Sequence, residues 1–256
     1  MKKEYAEEYV SLEKEHWWFR GRRVILRQLL RNEIDWSEPR TVLEIGVGPG
    51  ENLYTLYPEN AELMGVEPDA DNARRADERG PVQVHQGTVE NLPDVLKDRS
   101  FDIIAMFDVL EHIEDDRGAL EILRMRLKPG GRLVLSVPAY QWMWGEHDEV
   151  NLHFRRYTRG GLKRLLEDAG LAVRRATYFN TLLFPPIALV RLLARLMRNR
   201  KERGGAAESD FKKPAGVISG ILFRLFASEA IWLRLISFPF GVSVFVSAER
   251  KEGVDD

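Results

Sequence analysis

Two of the chain's five histidines, His147 and His153, share one short segment with Asp148, Glu149, Arg155, Arg156 and Tyr157. A histidine oriented by a neighbouring carboxylate is a general base near neutral pH, and His147 beside Asp148 or Glu149 has that composition. Arg155 and Arg156 suit a phosphate or carboxylate on an acceptor molecule, because guanidinium groups bind such oxygens in pairs. His147, Asp148 and His153 also have the donor types of a metal site. Their spacing matches no standard ligand pattern, so no metal is expected. The plainer alternative is a structural loop with packed aromatics and paired charges.

A second segment offers different chemistry. Val42-Leu-Glu-Ile-Gly-Val-Gly-Pro-Gly50 runs from a β-rich stretch into glycines. A phosphate-cradling loop would continue with Gly-Lys-Ser/Thr, but Gly50 is followed by Glu51 and Asn52. A dinucleotide fingerprint would place a third glycine where Glu51 stands. Glu44 and Glu51 put carboxylates where a pyrophosphate would sit, which suits a cationic ligand such as a sulfonium with an α-amino group. Glu67 ends the next β-rich run, in Gly65-Val-Glu-Pro-Asp69, where an acidic side chain takes both hydroxyls of a ribose.

These residues need a scaffold that gathers strand ends. β-rich runs recur at 41–45, 63–66, 82–84, 101–106 and 132–137, separated by stretches suited to helices at 51–57, 69–79, 90–97 and 115–127. That alternation predicts a doubly wound, mostly parallel sheet with helices on both faces and ligands at the strands' C-terminal edge. Residues 1–33 read as helical, broken near Gly21, and 139–158 as a long loop. Strands follow at 171–178 and 242–248, with a greasy, basic insertion at about 180–240 between them.

Composition narrows the classes. The 256 residues contain no cysteine, which excludes disulfide frameworks, thiolate zinc sites and thiol nucleophiles. Lys plus Arg (38) nearly balances Asp plus Glu (40), so bulk charge does not drive the chain onto nucleic acid. The charged start, Met1 to Tyr9, has no apolar run, and a cytoplasmic protein is expected.

With five motifs in order over about 40–138, the chain resembles the class I S-adenosylmethionine-dependent methyltransferases. Beyond the glycine loop and the Glu67 motif, Gln86-Gly-Thr-Val-Glu-Asn-Leu-Pro93 resembles the third motif. Phe101-Asp-Ile-Ile-Ala-Met-Phe-Asp-Val-Leu-Glu-His-Ile113 resembles the fourth, and Leu127-Lys-Pro-Gly-Gly-Arg-Leu-Val-Leu-Ser-Val-Pro138 the fifth. The resemblance implies a seven-stranded sheet with one antiparallel strand near its edge, and S-adenosylmethionine as cofactor. It implies that Glu44, Gly46, Gly48 and Gly50 surround the cofactor's amino-acid end and that Glu67, followed by Pro68, holds the ribose. Thr88, Val89 and Glu90 would line the adenine, and Phe107, Asp108 and Leu110 would close the pocket. Thr88 stands where members often carry Asp, leaving Glu90 or a main-chain carbonyl to meet the adenine amino group. His112, after the fourth run, is a second choice as a catalytic group.

The N-terminal Glu15-His-Trp-Trp-Phe-Arg-Gly-Arg-Arg23 matches the position of a helical lid in that family. There Arg20 or Arg23 would pair with the cofactor carboxylate and Trp17 or Trp18 would cover the site. The Trp…His-Asp-Glu…His…Arg-Arg-Tyr run is similar to one bacterial subgroup associated with envelope and lipid-linked assembly. In the insertion, Arg191, Arg195 and Arg198 share a helical face, followed by Arg200, Lys201, Arg203, Lys212 and Lys213. Charges recur in both apolar stretches, so neither reads as a membrane span, and a membrane-surface contact, lipid tunnel, cap or dimer face all fit.

The expected organisation is a lid at 1–35, a cofactor-binding core at 36–179, the insertion at 180–240 and a last strand and tail at 241–256. The expected reaction is methyl transfer to a small, glycosyl or lipid-linked acceptor, with His147, Asp148, His153, Arg155 and Tyr157 as the catalytic set. A soluble metabolite or a quinone is the alternative acceptor, and a non-catalytic cofactor-binding module the alternative class. No nucleic-acid partner is expected, since Phe107-Asp-Val-Leu110 replaces the Asn/Asp-Pro-Pro-Tyr/Phe run of enzymes that methylate nucleic-acid amino groups. Contact with the inner membrane face through 180–240 is an expectation, and the oligomeric state is open.

Overall fold

A computed structural model describes residues 11–198 and 216–250, with the side chains of 194–198 left aside. The basic run Arg200, Lys201, Arg203, Lys212 and Lys213, and the side chains of Arg195 and Arg198, lie outside the described residues.

Seven strands form one sheet in the order β3-β2-β1-β4-β5-β7-β6. They are β1 (Thr41–Ile45), β2 (Glu62–Glu67), β3 (Gln83–Gln86), β4 (Phe101–Phe107), β5 (Leu127–Pro138), β6 (Leu171–Phe179) and β7 (Ser243–Arg250). The first five pair in parallel, and β7 runs antiparallel between β5 and β6. The strand order reverses between β1 and β4, which opens a crevice at their C-terminal ends.

The central strands are buried on both faces, so they read as continuous apolar runs rather than alternating ones. Their period of two still sorts the core. Ile104, Met106, Leu133 and Leu135 face one layer with α4 (Asp116–Arg126) and α6 (Arg159–Asp168). Val42, Ile103, Ala105 and Val134 face the other, with α1 (Trp17–Glu33) and α8 (Gly216–Trp232). On α1, Ile25, Leu26, Leu29 and Leu30 recur at helical spacing and are at most 1% exposed. Each such side chain contributes roughly 1.5–3 kcal/mol by leaving water. Polar caps set the helix starts: Asp69 for α2 (Ala70–Asp77), Asp115 for α4 and Thr158 for α6.

Four expectations about local structure are corrected. The N-terminal helix breaks at His16, whose ring caps α1 by accepting from the Trp18 amide, and it runs unbroken through Gly21. Gly21 is where α1 meets α8: a Cβ there would lie 2.6 Å from Phe226 Cδ1. Residues 51–57 make turns rather than a helix, ahead of Pro58. The stretch suited to a helix at 90–97 narrows to α3 (Asp94–Lys97). The 139–158 segment is ordered by a short turn at Gln141–Met143, by α5 (Glu146–Val150), and by an Ala139–Tyr157 bridge. The insertion before β7 supplies α7 (Phe184–Arg198) and α8. Among the described residues no helix is long and apolar enough to cross a membrane.

Candidate active site

The glycine loop leaves β1 at Gly46, whose φ of +70° is a backbone state that favours glycine. A Cβ there would also meet Val109 Cγ2, so the loop lies tight against the turn that follows β4. The Gly48 amide donates to Glu67 Oε2 at 2.8 Å, and the Asp69 amide to Glu67 Oε1 at 3.1 Å. Glu67 thereby pins the loop to the end of β2 while facing the cavity, and burial raises its carboxyl above the ordinary range. The short helical stretch ahead of α1 adds another acid. Glu13 faces the same loop, and its burial pushes the carboxyl up to about 7.

A cavity of about 1050 Å³ extends from this loop across the sheet edge. Single-ligand cavities usually run to about 300–1,000 Å³, so there is room for a cofactor and an acceptor together. Gly46, Gly48, Glu67, Pro68, Thr88 and Val89 line one end, with Glu90, Phe107 and Asp108 further along. His147 and His153 line the other end, where α7 and α8 add Ile187, Val190 and Leu222.

Other expected site residues lie elsewhere. Glu44 is buried behind the loop, accepts from Tyr57 Oη at 2.7 Å, and has its carboxyl pushed up to about 8 by burial. Gly50 packs against Ala76, and Leu110 belongs to the core. Arg20 lies over the Phe223 ring, while Arg23 donates to the Glu13 carbonyl at 2.6 Å. The lid arginine at the cavity is instead Arg22, 4% exposed and 2.8 Å from Asp108 Oδ2. Trp18, four residues earlier and one turn away, stacks its ring 5.4 Å from that guanidinium. Trp17 and Trp18 both line the cavity, as a lid would.

The histidine loop is built around Asp148, which is fully buried. Its carboxylate accepts from the Gly145 amide (2.8 Å), His153 Nδ1 (2.8 Å), Arg156 Nε (2.7 Å) and Arg156 Nη2 (2.9 Å). Burial would raise its carboxyl, but the His153 and Arg156 bonds outweigh it and hold the group well below the usual range. Asp148 therefore orients His153, not His147, and Arg156 is committed to it. Arg155 and Tyr157 both turn to Asp116 at the start of α4, at 2.7 and 2.9 Å. Asp148, Arg155 and Tyr157 hold the loop from outside the cavity, so of the expected catalytic set only His147 and His153 line it. The Asn151 side chain meets the His147 ring at 3.2 Å.

Two groups at this end were not singled out as a pair by the sequence. Glu111 and His112 follow β4 directly, and both face the cavity. The available signal was an acid and an imidazole side by side just past a strand's C-terminal end. Burial, then the nearby His153, pushes His112 down to about 4.

A family model for a methyltransferase domain matches residues 17–176. A probable S-adenosylmethionine-dependent methyltransferase of Mycolicibacterium smegmatis is 29% identical over 166 residues, covering 64% of this chain and 62% of that protein. An uncharacterised 37.1 kDa protein of transposon Tn4556 from Streptomyces fradiae is 30% identical over 167 residues, covering 57% and 48%. The chain thus spans about half to three-fifths of these relatives' lengths. Among solved structures, an S-adenosylmethionine-dependent methyltransferase of Thermotoga maritima superposes with a TM-score of 0.57 at 21% identity, covering 97% of each chain. That likeness is one of fold.

Proposed function

The chain belongs to the methyltransferase-domain family, and from that premise we propose that it transfers a methyl group from S-adenosylmethionine to a small acceptor with an apolar body. One observation carries the reading: a single cavity joins the glycine loop and Glu67 to the histidine loop and the apolar wall of α7 and α8. The residues present fit the cofactor. The Glu13 Oε2 atom is buried, lacks a hydrogen-bond partner, and belongs to a side chain facing the loop, where an ammonium group would satisfy it. Glu67 keeps lone pairs for ribose hydroxyls, and Thr88, Val89 and Glu90 would flank the adenine.

When bound, the cofactor supplies an electrophilic methyl on a cationic sulfur. The chain's own part is positioning and exclusion of water. Trp17 and Trp18 cover the cavity from α1, and an aromatic face there favours a cation. His147 reaches the acceptor end and would take a proton where the acceptor must lose one.

The acceptor's apolar character follows from the α7 and α8 wall. Leu189, Val190, Leu192 and Leu193 on α7, and Val217, Ile218 and Ile221 on α8, are also exposed outward. Exposed apolar faces of this extent mark contact surfaces, which favours a lipid-linked acceptor met at a membrane surface.

The test is label transfer from methyl-labelled S-adenosylmethionine into a membrane-containing extract of the source cell. Organic and aqueous phases are counted separately, and cofactor binding is measured by calorimetry. Label in the organic phase, lost in His147→Ala, is the expected result. Label confined to the aqueous phase overturns the lipid-linked acceptor. Absence of cofactor binding overturns the reaction class.

A further inference from the structure

Three donors meet at the acceptor end. Glu111 and His112, from the turn after β4, and His153, from the histidine loop, each offer a ligand atom, and these atoms lie within 4.8 Å of one another. Glu111 is 1% exposed, and neither carboxylate oxygen has a hydrogen-bond partner. An unpartnered carboxylate is costly to bury unless a cation meets it. The nearby arginines pair elsewhere, Arg22 with Asp108 and Arg156 with Asp148.

Both imidazoles are prepared as ligands. Asp148 is an acceptor only, so His153 donates to it from Nδ1, and Nε2 is the ring nitrogen not engaged by that bond. A carboxylate behind a histidine in this way is the usual support of a metal-bound imidazole. The Asn151 main chain lies against the His112 ring, which also lines the cavity. The His112 and His153 rings meet edge-on, with centroids 4.5 Å apart.

We propose that Glu111, His112 and His153 bind a divalent transition-metal ion whose open positions face the acceptor. Two imidazoles and one carboxylate form a donor set suited to zinc, iron, cobalt or manganese. Resting on the methyl-transfer reading, the ion selects an acceptor with an oxygen donor, a hydroxyl, and makes that hydroxyl more acidic. Its proton passes to His147, whose ring centroid lies 6.0 Å from that of His153. The oxygen's electron pair forms the bond to the methyl carbon. The pair of the breaking carbon–sulfur bond stays on sulfur, which becomes a neutral thioether.

The test is cobalt(II) titration of the chelator-treated full chain, read by visible absorption and by metal content after dialysis. The expected result is about one ion per chain in a four- or five-coordinate spectrum. Glu111→Gln and His153→Ala should abolish the spectrum. Asp148→Asn, which loosens the support of His153 together with the bonds to Gly145 and Arg156, should weaken binding by roughly 10–100-fold, with folding checked by circular dichroism. Glu111→Gln is close to isosteric and is checked for folding by circular dichroism. No bound cobalt in the wild type, or binding unchanged in both Glu111→Gln and His153→Ala, overturns the site. Cofactor affinity is measured on the same samples. Ion binding without cofactor binding leaves the site standing and removes the methyl-transfer reading, and the reverse result removes the site alone.

Discussion

Asp148→Asn tests whether the histidine loop is held by one buried charge. The carboxylate takes four hydrogen bonds, two of them from Arg156, with no solvent exposure. An asparagine of the same shape turns one acceptor into a donor, so at least one of Gly145, His153 or Arg156 faces a second donor. Arg156 also keeps its charge in a buried site without the opposite charge. Removing one partner of a buried pair costs roughly 3–5 kcal/mol. For a domain of this size that lowers the melting temperature by roughly 6–20 °C, at about 2–4 °C per kcal/mol. The assay is thermal and urea unfolding by circular dichroism. The pH dependence gives a second readout. The folded-state carboxyl is held below its ordinary value, so the contribution is present above the unfolded value of about 3.9 and is lost as pH falls below it. The gap between wild type and variant should therefore be constant from pH 7 to 5 and close under more acidic conditions. A melting temperature within about 2 °C of wild type at pH 7 would refute the reasoning.

Arg22→Met should raise the dissociation constant for S-adenosylmethionine at least about tenfold by calorimetry, while Arg20→Met, over Phe223 and away from the cavity, changes it little. Equal effects would put the lid arginine back in doubt. Glu44, raised to about 8 by burial, holds a proton that the unfolded chain releases near 4.3. Stability should thus fall as pH rises between those values, and Glu44→Gln should flatten urea midpoints measured from pH 5 to 8. Ile221→Asp, on the exposed face of α8, should reduce co-sedimentation with anionic liposomes at unchanged cofactor affinity. Sedimentation that is already absent in the wild type at low salt removes the membrane contact.

The sheet was legible because its signals are local. Leu43, Ile45, Ile104 and Met106 announce buried strands by composition, and Gly46, Gly48 and Glu67 sit at strand ends where the chain must turn. The antiparallel strand was implied by the family resemblance, with which the late pair of strands agreed, and it is β7. What escaped was set by partners far away in sequence. Nothing near Arg155 and Tyr157 says that Asp116 claims both. Arg22, rather than Arg20 or Arg23, reaches the cavity because Gly21 lets α1 press on Phe226 and fixes its rotation. Asp148 stands next to His147 in sequence, but on a one-turn helix adjacent residues point apart, and its carboxylate goes to His153 instead.

The charges at the cavity make one argument together. Arg22 is paired with Asp108 and Arg156 with Asp148, while Glu13, Glu67 and Glu111 also face the cavity and make no ion pair among the described residues. On the proposed reading these acids would meet a positive ligand at both ends: a sulfonium with its ammonium near Glu13 and Glu67, and a metal cation near Glu111. Methyl transfer discharges the sulfonium, so acids that ionise beside the bound cation hold the reactant more tightly than the neutral thioether product. Such a field aids binding and release but weakens as charge leaves sulfur in the transition state. Rate enhancement must then come from alignment of the acceptor on the line of the carbon–sulfur bond. On this view, substitutions at Glu13 or Glu67 act mainly on the Michaelis constant, and those at His147, His153 or Glu111 on kcat. A kcat loss at Glu67 as large as that at His153 would show that the field, and not the alignment, carries the rate.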